Sequence, residues 1–157
     1  MKKSIILFLS LFFLHQLALF TGSVFSISGI EVWYPNLIKP DFNPPSYVFG
    51  PIWFLLYTIM TIAIYSVVTS KAEKKEKVRV LTIYGLHLAL NVLWSLFFFG
   101  LESPALGFVD ILIVLSSGIF VAYLFYKIRK VAAYLLIPYL VWLGFATVLN
   151  LSIWILN

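Results

Sequence analysis

Five long apolar stretches separated by short polar turns leave this chain few ways to fold. They run approximately Ser4–Ser26, Ser46–Ser70, Val80–Gly100, Pro104–Tyr126 and Ala132–Leu156. Each is long enough, as a helix, to cross a hydrocarbon core about 30 Å thick. Lipid offers no partner to backbone N–H and C=O groups, so such stretches must satisfy them internally as helices. The 157 residues are 62% hydrophobic and only 11% charged, too little polar surface for a soluble domain of this size. The expected fold is an all-α integral membrane protein: a single domain, residues 1–157, forming a five-transmembrane-helix bundle.

Charge sets the expected orientation. Threading the five stretches back and forth sends Lys2, Lys3, Lys71, Lys74, Lys75, Lys77, Arg79, Lys127, Arg129 and Lys130 to one side, and Lys39 alone to the other. That asymmetry predicts a cytoplasmic N-terminus and an extracytoplasmic C-terminus; the membrane is expected to be the plasma membrane. Membrane topology accounts for the net charge of +5, and no nucleic-acid partner is expected. The stretch Lys71–Arg79 reads as a solvated turn near anionic lipid. The first apolar stretch is expected to be a retained helix, because it exceeds a signal-peptide core and lacks an Ala-x-Ala-like exit. With no cysteine, disulfides, thiolate metal sites and a cysteine nucleophile are excluded.

Between Trp33 and Tyr57 lie five of the seven prolines, interleaved with aromatic residues. Such backbone cannot pair into helix or sheet, so it must be solvated or packed on protein. The aromatics predict an ordered extracytoplasmic lid over the bundle, between helices 1 and 2. Further along, Ser103 and Pro104 suit the start of the fourth helix. Pro138 should kink the fifth and free the Tyr134 carbonyl.

Polar residues within the spans are few, and each is informative. Steps of four place His87, Asn91 and Ser95 on one face of the third helix, with Phe98 or Phe99. The same spacing groups Trp53, Tyr57 and Thr61 on the second, and Pro138, Trp142, Ala146 and Asn150 on the fifth. Asp110 is the one formally charged side chain deep in a span. At a rise of about 1.5 Å per residue, Trp53, Asp110 and Asn150 each lie ~10 Å below the outer ends of their helices. Asn91 and Ala146 lie ~14–17 Å deep by the same rise. Neighbouring helices run in opposite directions, so this agreement predicts one polar and aromatic pocket beneath the lid, floored by Trp142.

These residues resemble the TspO family of tryptophan-rich sensory and translocator proteins, also called peripheral-type benzodiazepine receptors. The resemblance rests on Trp33-Tyr34, Lys39-Pro40, Pro44-Pro45, Phe49, Pro51, Trp53, Leu56-Tyr57 and Met60. It continues through Leu90-Asn91, Trp94-Ser95, Asp110, Pro138-Tyr139, Trp142, Phe145-Ala146 and Leu149-Asn150. The family implies five transmembrane helices and a ligand pocket under the first loop. Porphyrins bind such proteins, and isoquinoline-type drugs or sterols bind some. By position the resemblance implicates Tyr34, Trp53, Asn91, Trp142 and Ala146; pocket depth and face add Tyr57, Asp110 and Asn150. His87 stands where the family commonly has glutamine, and Phe42 where tryptophan is usual. The animal proteins' sterol-contact pattern is missing from the last helix, so sterol binding is not expected.

Each candidate has a plainer reading. Trp33 and Trp154, near helix ends, fit interfacial anchors. Trp53 and Trp142 lie deeper and can stack on a planar tetrapyrrole. Asp110 is a functional candidate by its position, but a structural or gating role suits it better. His15 and His87 are expected to be packing or hydrogen-bonding residues rather than haem ligands, and no metal site is predicted. Gly118 and Ala122 form a small-xxx-small pair serving either a homodimer, as the family suggests, or internal packing.

The expected function is therefore a membrane receptor or sensor for porphyrin-type ligands, protoporphyrin or a haem-like molecule, in tetrapyrrole sensing, transport or stress response. No cofactor is required; the porphyrin is ligand or substrate. The alternatives are a porphyrin transporter or a light- and oxygen-dependent protoporphyrin-degrading enzyme in which Trp53 and Trp142 would be catalytic. Hydrolytic catalysis is disfavoured, since no nucleophile–base–acid set is present. An odd number of spans and a single buried carboxylate argue against an inverted-repeat, proton-coupled transporter.

Overall fold

A computed structural model describes residues 2–157, the side chain of residue 28 excepted, and among these the chain forms helices and connecting turns without a strand. Helix α1 spans Lys2–Ser28 and is prolonged by a π-helical turn at Gly29–Trp33 and a 3₁₀ turn at Tyr34–Asn36. Helix α2 spans Ser46–Val68, and α3 spans Lys74–Ser95 before widening into a second π turn at Leu96–Gly100. Helix α4 runs from Pro104 to Ile128; α5 (Lys130–Leu135) and α6 (Ile137–Leu156) together make the fifth span.

The outward faces are mainly apolar. Phe13, Leu17, Phe20 and Val141 are 60–67% exposed, a surface that would aggregate in water and is solvated by acyl chains in a bilayer. With five helices long and apolar enough to cross, the chain is an integral membrane protein.

Sequence signals account for two of the helix boundaries. Ser103 Oγ accepts a hydrogen bond from the Leu106 N–H at 3.3 Å, and Pro104 takes the first helical position. Pro138 lacks the N–H that would bond the Tyr134 carbonyl, and the fifth span breaks close by, at Leu136. The third helix differs from expectation: it starts at Lys74, not Val80, so most of the charged stretch is helical. Lysine and glutamate are good helix formers, and Glu76 in the first turn complements the helix dipole. Two cations close the end of α2 instead. Lys77 Nζ donates to the Val68 and Ser70 carbonyls at 3.3 and 3.1 Å, and Arg129 Nη1 donates to the Ser66 carbonyl at 3.3 Å.

The larger cluster of buried side chains lies in the half of the bundle nearest these charged turns. Met60, Ala63 and Val67 of α2 meet Tyr84 of α3, Val121 and Phe125 of α4, and Leu136 and Tyr139 of the fifth span, all at most 4% exposed. Gly118 belongs to this interior: a Cβ there would lie 3.0 Å from Leu140 and 3.2 Å from His87. Gly118 is thus used for internal packing.

Candidate functional site

Toward the proline loop the same helices enclose a cavity of about 190 Å³. Helix α1 contributes Leu19, Gly22, Ser23 and Ser26; α2 contributes Phe49, Gly50, Trp53 and Tyr57. From α3 come Asn91, Trp94 and Ser95, and from α6 Trp142, Ala146, Leu149 and Asn150. The π turn after α3 adds both Phe98 and Phe99, because its extra residue per turn rotates two consecutive side chains inward. None of the lining residues carries a formal charge.

Aromatic rings make the walls. Trp142 meets Trp53 edge-on, with centroids 6.5 Å apart, and also touches Phe49 at 6.1 Å and Phe145 at 5.3 Å. Trp94 stacks on Phe98 at 5.2 Å. Such quadrupole-matched contacts hold the rings in fixed orientations around a void. Buried polar groups anchor the walls from behind. Trp94 Nε1 donates to Asn150 Oδ1 at 3.1 Å, and Asn150 Nδ2 donates to the Pro104 carbonyl at 2.8 Å. Tyr57 donates to Asn91 Oδ1 at 2.9 Å. The Trp142 indole N–H is buried without a partner.

The loop above is ordered by its own chemistry. Tyr34 is 5% exposed, and its hydroxyl donates to Asn43 Oδ1 at 2.7 Å. Burial pushes its phenol above the ordinary value, and the Asn43 bond offsets this in part. Lys39 lies 5.0 Å from the centre of the Tyr34 ring and donates to the Pro35 and Leu37 carbonyls. At the far end of the chain, Asn157 clasps Ile38: Ile38 N donates to Asn157 Oδ1, and Asn157 Nδ2 to the Ile38 carbonyl, both at 3.0 Å. Gly29 lets the end of α1 lie against the second π turn, since a Cβ there would fall 2.6 Å from the Phe99 carbonyl oxygen.

Seven of the eight ligand-binding candidates, Tyr34, Trp53, Tyr57, Asn91, Trp142, Ala146 and Asn150, line this cavity. Asp110 does not. It is 4% exposed, and its Oδ2 has no partner. A Cβ at Gly107, one turn away on α4, would lie 2.8 Å from Phe98 and 3.0 Å from Asn150 Oδ1. Phe98 and Asn150 both line the cavity, so α4 stands behind them. Equal depth gave Asp110 the right height on the wrong layer.

The two histidines are buried and fully engaged. His15 Nδ1 bonds the Leu11 carbonyl at 2.7 Å, and its Nε2 pairs with the Tyr84 phenol. His87 sits between Ser117 and Tyr139, at 2.8 Å from each. The α1 contribution escaped sequence reasoning. Its signal was small residues at a step of four, Gly22 and Ser26, on an otherwise bulky helix.

Comparison with known proteins gives a family for this geometry. The model described as the TspO/MBR family matches residues 10–155. The tryptophan-rich protein TspO of Archaeoglobus fulgidus is 38% identical over 138 residues, 88% of each chain. The translocator protein of Homo sapiens is 38% identical over 140 residues, 88% of this chain and 83% of its own. A tryptophan-rich sensory protein of Cereibacter sphaeroides is 36% identical over 130 residues, 81% and 78% respectively.

Proposed function

The chain belongs to the TspO/MBR family, and from that premise we propose that it binds a flat, largely apolar tetrapyrrole such as protoporphyrin beneath the proline loop. The observation that carries this reading is the uncharged aromatic cavity in which Trp53 and Trp142 meet edge-on. Rings held this way offer faces for stacking, and the few polar groups supply orientation. Its 190 Å³ is below the ~300–1,000 Å³ usual for small-molecule sites. A tetrapyrrole therefore requires the loop or the Phe49 and Trp142 rings to give way, and the proposal gives the loop the role of a lid. The site serves sensing or transport of the ligand in the plasma membrane, with the N-terminus cytoplasmic and the lid outside.

Titration of protoporphyrin against tryptophan fluorescence tests the reading. Saturable quenching is expected, and its absence in folded protein would refute it. Orientation is tested by single cysteines. Asn43→Cys should react with an impermeant thiol reagent added outside, and Lys75→Cys should not; the reverse pattern would invert the topology.

The edge-on pair at 6.5 Å also supports a second reading, photo-oxidative degradation of the bound porphyrin with an indole as electron donor. Trp142→Phe keeps an aromatic face but is a much poorer donor. It should bind protoporphyrin nearly normally and lose most protein-dependent, light-driven degradation. Equal degradation by parent and variant would exclude this indole as the redox partner.

A further inference from the structure

A chain of buried hydrogen bonds leads from the cavity floor into the solid half of the bundle, and all its members point one way. Ser117 Oγ donates to the Val114 carbonyl at 3.0 Å, so its single proton is committed. Against His87 Nδ1, 2.8 Å away, it can therefore only accept, which places the imidazole proton on Nδ1. His87 Nε2 is then an acceptor, and its partner at 2.8 Å, the Tyr139 hydroxyl, must donate. The other end of the chain agrees. Asn91 Nδ2 donates to the Tyr139 oxygen at 2.6 Å, which leaves the Tyr139 proton free for His87. Tyr57 donates to Asn91 Oδ1 at 2.9 Å.

Tyr57 and Asn91 line the cavity, whereas Tyr139 and His87 lie behind it, each 1% exposed. We propose that His87 is a positioning residue that fixes, through Tyr139, which hydrogen-bonding groups the cavity floor offers a ligand. With Nε2 an acceptor, the Asn91 amide must turn its nitrogen to Tyr139 and its oxygen to Tyr57. The Tyr57 proton is consumed by that oxygen. The floor then presents the second Asn91 N–H as its donor and the Tyr57 oxygen as an acceptor. Reversing the chain would flip the amide and release the Tyr57 O–H toward the ligand, exchanging an amide donor for a stronger phenolic one. His87 thus decides which donor meets a ligand's acceptor, the Asn91 N–H rather than the Tyr57 O–H, though nothing on the ligand touches the imidazole. The ring lies 5.6 Å from that of Tyr139 and 6.4 Å from that of Tyr84, whose phenol is held by His15.

The inference rests on the reading of the cavity as a ligand site, and its test separates the two. Nitrogen-15 NMR of histidine-labelled parent protein in bilayers needs neither ligand nor variant. It should show His87 protonated on Nδ1 and bare on Nε2; an Nε2–H tautomer or an imidazolium would overturn the proposal. The Asn91 side-chain amide signal should move in His87→Leu and in Tyr139→Phe, and stay near the parent position in His87→Gln, whose carbonyl can accept from Tyr139. With protoporphyrin as probe, His87→Leu and Tyr139→Phe should each bind about fivefold more weakly, the equivalent of one neutral hydrogen bond, while His87→Gln stays within about twofold. Parent-like affinity and an unmoved Asn91 signal in His87→Leu would overturn the positioning role. Failure of the parent to bind protoporphyrin, with the NMR pattern as expected, would refute the ligand reading and leave the Asn91 orientation standing.

Discussion

The half of the bundle beside the charged turns is solid, and the half beneath the proline loop is hollow, although one set of helices builds both. In the solid half, aliphatic and small side chains fill the spaces between the rings of Tyr84, Phe125 and Tyr139, and Met60, Ala63, Val67 and Phe125 are all 0% exposed. In the hollow half, large rings meet edge-on and brace one another, as Trp53, Trp142 and Phe49 do. Lipid does not squeeze apolar surfaces together as water does, so a void between helices persists when the surrounding rings hold each other apart. The contrast teaches that the cavity is held open by aromatic walls beneath the proline loop, and it predicts that overall stability rests mainly on the other half.

The largest expected effect breaks the molecule where it is solid. Phe125→Ala should cost on the order of 2–3 kcal/mol, below the usual cost of a buried phenylalanine because lipid accommodates apolar surface. Phe49→Ala, beside existing empty space, should cost under about 1 kcal/mol by the same cavity argument. Reversible unfolding in mixed micelles compares the two, and equal losses would erase the distinction between the halves. Glycines sharpen it next. Gly107 lies on the back wall, where a Cβ would sit 2.8 Å from Phe98, and Gly107→Ala should destabilise by about 1–3 kcal/mol. Gly50 has nothing within 4 Å of that position, so Gly50→Ala should be neutral or gain up to about 1 kcal/mol of helix propensity.

This division was only partly legible in the sequence. Apolar length and the cation pattern were sufficient for five helices, and steps of four were sufficient to group Trp53 with Tyr57 and Trp142 with Ala146. Depth along an axis is additive in residue number and can be read from the chain. Azimuth around the bundle depends on which helix packs where, and that is why depth alone groups Asp110 with Asn150 although α4 stands behind it. The π turn at Leu96–Gly100 left no sequence mark, yet it brings both Phe98 and Phe99 to the cavity. The bond partners of His87 were equally hidden, since Ser117 and Tyr139 lie on other helices.

A smaller effect concerns the hollow half alone. Trp53→Ala should weaken protoporphyrin binding by about fivefold, or ~1 kcal/mol for one stacked aromatic contact. Its unfolding midpoint should move much less than that of Phe125→Ala. A large stability loss would mean that the aromatic wall carries the fold as well as the site.

The smallest expected effect is at the fastening of the lid. Two hydrogen bonds join the Asn157 side chain to the Ile38 backbone, closing a link between the last helix and a loop 119 positions earlier. Both lie at the exposed outer edge, where water competes for the same groups, so their net contribution is modest. Asn157→Ala should therefore leave global unfolding unchanged and speed hydrogen exchange at the Ile38 amide by about fivefold, a local opening that does not involve the core. Exchange at Leu143, buried in the solid half, should not change. If the lid must lift for a tetrapyrrole to enter, the same variant should also bind and release protoporphyrin faster, with little change in affinity. Faster exchange without faster ligand kinetics would show that the ligand enters by another route, between helices rather than under the loop.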